Sequence, residues 1–249
     1  MNSITLFMQT KFLINSWWKL RTKIQGFQKE FGDNLVTEID IGRIFRVIEG
    51  NLNKVNWSKK SRLLVQFYED GYICWININK LEIQEFNYKN LKFLICNEEF
   101  IQKQIPSIIR WIIEQSTIPN KYLWGGTTGP DFDCSGLIQT AFFKHHIFIP
   151  RDSYQIKNFC HHLFHFPGNI NNLMMGDLLF FGTPYECNHV AIYFKDGLYF
   201  HSSGKDFGRD GIGIDSLTNR DDKISLHYMN NLLSAGRIIR SYKWDKTIR

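Results

Sequence analysis

Apolar and polar positions alternate in short runs through the first third of the chain. The alternation predicts strands at Leu35–Ile39, Ile44–Ile48, Leu63–Tyr68 and Tyr72–Ile76. Gly42, Gly50-Asn51 and Glu69-Asp70-Gly71 punctuate them, and the last reads as a hairpin turn. Short strands joined by tight turns predict a small β-barrel. Residues 1–31 are ambiguous, although Trp17-Trp18-Lys19-Leu20-Arg21 suits the opening of a strand. After about residue 95 the period changes. Ile105, Ile108, Ile109, Ile112 and Ile113 share one helical stripe, with Pro106 at its first position and Pro119 at its end. A second helix is predicted from Cys134 through Leu137, Ile138, Ala141 and Phe142, followed by strands at Asp177–Phe181, His189–Phe194 and Leu198–Ser202. The reading is therefore α+β in two domains: residues 1–95, a small β-barrel with 1–31 unassigned, and residues 96–249, helices with strands.

Composition narrows the class of protein. The chain has 249 residues, 43% of them hydrophobic, enough for a sizeable core and against disorder. The net charge of +6 is spread along the sequence, with no Lys/Arg run longer than two. Diffuse basicity fits a solvated surface or a substrate bearing several carboxylates; nucleic-acid binding would call for a clustered face. The five cysteines, Cys74, Cys96, Cys134, Cys160 and Cys187, are odd in number and irregularly spaced. That argues against a disulfide framework and for a reducing compartment. No signal peptide is read at Met1–Lys11 and no apolar run approaches the ~18 residues of a membrane span, so the expected location is the cytoplasm, with no membrane partner.

The candidate chemistry centres on Lys121–Gln139. Tyr122, Trp124 and two glycines lead into a turn-forming segment, and Asp133-Cys134-Ser135-Gly136 then opens a helix. Asp133 is a natural N-cap. Cys134 on the first turn would feel backbone N–H groups and a helix dipole that favour a thiolate. Two readings stand for it: a small buried hydrophobe or a nucleophile.

A nucleophilic thiol wants an imidazole oriented by a third polar group. Of eight histidines, His145, His146 and His227 read as helix-end or surface residues. Cys160-His161-His162-Leu163-Phe164-His165 invites a metal, but adjacent side chains diverge and the spacing matches no structural zinc site, so no metal and no cofactor are assigned. His189 and His201 flank a hairpin. A three-residue Lys195-Asp196-Gly197 loop sets Phe194 against Leu198 and Ala191 against His201, and puts both imidazoles on one face. Val190 and Ile192 would pack on the other face of a half-buried strand. His189 is then the base for Cys134, with His201 fixing its tautomer. The helix-start N–H of Cys134 is an oxyanion donor.

These segments together resemble the NlpC-type branch of papain-like cysteine peptidases. The pieces are Tyr122-x-Trp124-Gly125-Gly126, Phe132-Asp133-Cys134-Ser135-Gly136-Leu137, Pro150-Arg151-Asp152-Ser153, Gly176-Asp177-Leu178-Leu179-Phe180-Phe181 and His189-Val190-Ala191-Ile192-Tyr193. The resemblance implies a papain-like catalytic domain with helices packed on an antiparallel sheet, and Cys134, His189 and His201 as its catalytic set. The front half, with Leu35-Val36-Thr37-Glu38, Gly42-Arg43 and Glu69–Ile76, resembles the bacterial SH3-like domain of γ-D-glutamyl-L-diamino acid endopeptidases. Those enzymes cut small murein peptides after D-Glu, and their SH3-like domain caps the cleft so that a free N-terminal L-Ala is required. By that resemblance Tyr72, Asp133 and Ser135 bind the substrate amine, Tyr122 shapes the site and Arg151 faces a substrate carboxylate. The alternatives are an amidase or acyltransferase on the same core and a catalytically inactive peptide-binding protein. A strongly raised Cys134 thiol pKa would favour the last.

Overall fold

The structure is a computed structural model that describes residues 12–49, 62–77, 81–90, 96–165 and 170–243. The chain forms two compact units that divide between Phe93 and Leu94.

In the first unit, seven short strands form one antiparallel sheet. They are β1 (Trp17–Leu20), β2 (Ile24–Phe27), β3 (Leu35–Ile39), β4 (Ile44–Glu49), β5 (Arg62–Phe67), β6 (Ile73–Asn77) and β7 (Ile83–Glu85), ordered β3-β2-β6-β5-β4-β1-β7. Alternation sets the register. Phe45 pairs with Phe67, Val47 with Val65, Val65 with Cys74 and Leu63 with Ile76. All seven side chains are in one apolar cluster. On the opposite face Arg46 pairs with Gln66, its Nε donating to Oε1 at 3.0 Å. Cys74 is accommodated by Gly26, where an added Cβ would come 2.6 Å from the Cys74 sulfur. The expected hairpin at residues 69–71 forms with Gly71 at φ +70°. Its acids also hold Arg43, which donates to Glu69 at 2.9 Å and Asp70 at 2.7 Å. Among the described residues no strand pairing joins β3 to β7, so the expected closed barrel is seen as an open sheet order. The expectations at Gly50-Asn51 and Met1–Lys11 lie outside the described residues.

The second unit is a six-stranded antiparallel sheet covered on both faces. Its strands are β8 (His161–His165), β9 (Leu178–Thr183), β10 (Glu186–Lys195), β11 (Leu198–Ser203), β12 (Gly211–Ser216) and β13 (Leu232–Arg237), ordered β12-β11-β10-β9-β13-β8. One face carries Leu178, Phe180, Val190, Ile192 and Phe200 against helices α1 (Glu98–Ser116), α2 (Cys134–Phe143) and α3 (Ser153–Phe159). The other carries Leu179, Phe181, Ala191, Tyr193 and Tyr199 against Tyr228 of α4 (Lys223–Asn230). This corrects the expectation of a half-buried β10. Residues Val190–Tyr193 are all buried, because a strand covered on both faces reads as a continuous apolar run.

Helix α1 begins earlier than the proline implied. Asn97 caps it, accepting from Phe100 N at 3.0 Å, and Glu98 and Glu99 complement the dipole. Pro106 lies inside the helix on its exposed side, where the carbonyl it leaves unpaired can reach water. Ile101, Ile105, Ile108, Ile109 and Ile112 make the buried stripe, while Ile113 is 38% exposed. Among the described residues no helix is long and apolar enough to cross a membrane.

Candidate active site

The segment before α2 is built on backbone packing. Asp133 caps the helix, its Oδ1 accepting from Gly136 N at 2.6 Å and its Oδ2 from Gly125 N at 2.8 Å. Gly125 needs its φ of +82° to aim that N–H. A methyl on Gly136 would run into the carbonyl oxygen of Gly126, which itself accepts from Asp133 N at 3.2 Å. The glycines therefore let loop and helix touch, rather than opening an approach for a ligand. Gly136→Ala is expected to cost about 1–3 kcal/mol, since the obstructing atom is backbone and cannot swing away; thermal denaturation of the variant checks it.

Arg151 is 2% exposed and faces Asp133, not open solvent. Its Nη2 donates to Asp133 Oδ2 at 2.6 Å, and its Nη1 to Asp133 Oδ1 at 3.1 Å and to Ser135 Oγ at 2.8 Å. Ser135 Oγ in turn donates to Asp133 Oδ1 at 3.2 Å. Asp133, Ser135 and Arg151 thus form one buried cluster at the start of α2. Tyr72 is in the first unit, partly buried against that unit's own core.

Cys134 Sγ lies 4.0 Å from the carbonyl oxygen of Asn188, the residue before His189. Asn188 is bulged out of the β9–β10 ladder, where Cys187 pairs with Gly182 and His189 with Phe181. Burial, and then the Asp133 carboxylate, push the Cys134 thiol up to about 12; hydrogen bonds from the backbone of Val190 and Ser135, and the charge of Arg151, act the other way without prevailing. The helix-start expectation of a ready thiolate is therefore reversed by desolvation.

The two imidazoles do share a face. His189 Nε2 and His201 Nδ1 are 2.8 Å apart. The hairpin that achieves this differs from the expected one. Tyr193 pairs with Tyr199 and Ile192 with Phe200, as a three-residue loop would require, but Lys195, not Phe194, pairs with Leu198. The loop is the two residues Asp196-Gly197, both at positive φ (53° and 81°), as in a type I′ turn. A bulge at Phe194 absorbs the extra residue and restores the register below it.

A carboxylate missing from the sequence reading completes the row. His201 Nε2 is 2.7 Å from Asp215 Oδ2, and both side chains are fully buried. Burial alone would raise Asp215, but the hydrogen bonds from His201 and Arg209 hold it far below the usual carboxylate range. Burial, followed by the neighbouring His201 and His227, drives His189 well below its ordinary value, and burial lowers His201 against the pull of Asp215. Tyr228, also unforeseen, lies over His189 with ring centroids 4.7 Å apart and 31° between planes. The alternation Gly211-Ile212-Gly213-Ile214-Asp215 puts Asp215 on the glycine face, opposite Ile212 and Ile214, and so gives no sign of its burial.

His189 opens onto a cavity of about 380 Å³ lined by Tyr122, Trp124, Phe181, Asn188, His227 and Tyr228 among others. Tyr122 pairs with Phe132 in an isolated bridge, and its phenol is raised by burial and then by Cys134 and Asp133. His227 thus belongs to the cavity and not merely to the surface. His161 and His162 are exposed on β8, the outermost strand.

A buried thiol at a helix start, and two imidazoles and a carboxylate in a hydrogen-bonded row on the antiparallel sheet, are the groups that a thiol–imidazole hydrolase uses. Residues 119–227 match the NlpC/P60 family model. The chain is 40% identical over 85 residues to a gamma-D-glutamyl-L-lysine dipeptidyl-peptidase of Bacillus cereus, a match covering 32% of this chain and 24% of that protein. It is 34% identical over 123 residues to the bifunctional muramidase/DL-endopeptidase CwlT of Bacillus subtilis, covering 47% and 32%. The chain spans about a quarter to a third of the length of these relatives. A solved structure of an NlpC/P60 family protein from Bacillus cereus aligns at 19% identity and a TM-score of 0.44, covering 96% of this chain and 67% of that one.

Proposed function

We propose that the protein is a cysteine peptidase that hydrolyses the γ-D-glutamyl–diamino acid amide bond of small murein peptides. The observation that carries the reading is the row His189, His201, Asp215 beside an open cavity, with Cys134 Sγ 4.0 Å from the carbonyl oxygen of Asn188, the residue before His189. In it, His189 takes the Cys134 proton as sulfur attacks the amide carbon, and returns it to the leaving amine. The helix-start N–H of Cys134 receives the developing oxyanion. The names of the curated relatives supply the substrate class. The five cysteines, odd in number and irregularly spaced, fit a reducing compartment and hence a cytoplasmic enzyme of peptide recycling.

The finer reading is a free N-terminal L-Ala, its amine held by Asp133 and Ser135. Asp133 already accepts from Gly125, Gly136, Ser135 and Arg151. An amine would therefore share that carboxylate with a resident cation. The test is mass spectrometry of L-Ala-γ-D-Glu-meso-diaminopimelate beside its N-acetyl form. Cleavage of the free-amine peptide alone is the expected result; equal cleavage of both removes the amine site and keeps the peptidase.

A second reading, a peptide-binding protein without turnover, is favoured by the thiol pushed up to about 12. It predicts saturable binding of the intact peptide and no products over long incubation.

A further inference from the structure

We propose that Asp215, secured by Arg209, acts as a positioning residue that fixes the tautomers of both imidazoles, so that His189 presents the lone pair of Nδ1 to Cys134. The inference rests on the Cys134–His189 reading of the site and adds two residues outside it.

The argument is one of donors and acceptors. Asp215, His201 and His189 stand in a row, with Oδ2 to Nε2 at 2.7 Å and Nδ1 to Nε2 at 2.8 Å. An ionised carboxylate only accepts, so His201 must carry its proton on Nε2. The Nδ1 of a neutral His201 is then an acceptor, and His189 must donate from Nε2. That leaves Nδ1 of His189 without a proton, on the ring edge away from His201. The charge at the far end therefore decides the state of an atom two rings away. When the thiol S–H bond breaks, the electron pair stays on sulfur and the proton forms the Nδ1–H bond of His189. The Nε2–H is unchanged, so neither ring has to rotate or exchange its tautomer during the step. The imidazolium so formed is met through His201 by the Asp215 charge.

Arg209 has the geometry of a fastener for that charge. Its Nη2 donates to Asp215 Oδ1 and, at 2.5 Å, to Asp222, the N-cap of α4; its Nε is 3.3 Å from Asp215 Oδ2. Ser225 Oγ adds a bond to Asp215 Oδ1 at 3.1 Å. The stem of Arg209 lies across β12 at Gly213, where a Cβ would come 2.5 Å from its Cγ. One guanidinium thus joins the row to the helix that lays Tyr228 over His189. The other polar groups around the rings are Tyr199 on β11, His227 and Tyr228 on α4 and Cys134 on α2. Of these, His227 opposes a cation at His189.

Two measurements test this. In ¹⁵N-histidine-labelled protein at neutral pH, two-bond ¹⁵N–¹H correlations should show both His189 and His201 as Nε2–H tautomers; an Nδ1–H tautomer at either ring overturns the proposal. The second is the pH dependence of Cys134 alkylation by iodoacetamide, read by peptide mass mapping without any substrate. In Asp215→Asn, Arg209 and Ser225 claim the amide oxygen and turn the Nδ2 donor toward His201. The row then inverts and puts a proton on Nδ1 of His189. The wild type should show a pH-independent rate through the neutral range. The variant should be roughly 100-fold slower or more at neutral pH and gain about tenfold per pH unit, because only hydroxide then removes the thiol proton. A slower rate that keeps the flat profile means Asp215 is merely structural and overturns the proposal. If wild-type Cys134 does not alkylate at all, the nucleophile reading fails, while the tautomer spectra still decide this one without needing the variant to fold.

Discussion

Cys134→Ala is expected to lower kcat/KM for the murein tripeptide by roughly 10⁴–10⁶-fold while leaving peptide binding near its wild-type strength. Cys134 is the nucleophile of the proposed reaction, at the start of α2 and 4.0 Å from the carbonyl oxygen of the residue before His189. With the thiol pushed up to about 12, the resting pair is a neutral thiol and a neutral imidazole. Thiolate set free by solvent alone would amount to only about one molecule in 10⁵ at pH 7. Turnover must therefore use proton transfer to His189, and the pH profile carries the signature. Burial and the neighbouring histidines hold His189 well below its ordinary 6.5, so the acid limb of kcat/KM should fall well under pH 6.5. No alkaline limb from the thiol is expected below about pH 11. Stability follows the same sign. The unfolded chain binds a proton at His189 below 6.5 that the folded chain refuses, so stability is lost as pH falls from 6.5 toward the folded value. Stopped assays from pH 4 to 10 on wild type and Cys134→Ala check the profile. An acid limb centred at or above 6.5 would show His189 to be solvated and ordinary, and binding by both proteins with no product from either would establish the peptide-binding reading instead.

What the sequence made legible was local. Asp133 as an N-cap, Cys134 on the first turn and the shared face of His189 and His201 follow from spacings of a few residues, and the geometry agrees. The hairpin shows the limit of such counting. Asp196-Gly197 satisfied the turn with two residues, and the bulge at Phe194 compensated, so the imidazoles met for a reason different from the one foreseen. The thiol's state was misjudged because a helix dipole is a local property whereas burial is not. Nothing near residue 134 in sequence reveals that the thiol is buried. Asp215 was out of reach for the same reason. Its role depends on β12 pairing with β11 so that Gly213 sits beside His201. Pro106 misled because a helix tolerates proline where the lost hydrogen bond faces solvent.

Arg151→Met is expected to cost about 3–5 kcal/mol, the largest stability effect of any single change at the site. The guanidinium is 2% exposed, in a bidentate bond with a carboxylate that is itself 5% exposed. Removing only the cation leaves Asp133 charged in a place water does not reach, with Gly125, Gly136 and Ser135 as its remaining donors. For a unit of this size the loss should lower Tm by roughly 10 °C. Arg151→Lys should not rescue it, since an ammonium cannot reach both carboxylate oxygens and Ser135 Oγ in one plane. Removing the charge on both sides, in Asp133→Asn/Arg151→Met, should recover part of the stability, because no unpaired charge is then buried. The chemistry should also respond. Arg151 is one of the groups that favours the Cys134 thiolate, so its loss should slow iodoacetamide labelling even at temperatures where the variant is fully folded. Calorimetry of the double-mutant cycle, with labelling rates at 15 °C, separates the two effects. If Arg151→Met melts within 2 °C of wild type by that measurement, Asp133 is reached by water and the buried cluster at the start of α2 is not what holds the nucleophile's helix in place.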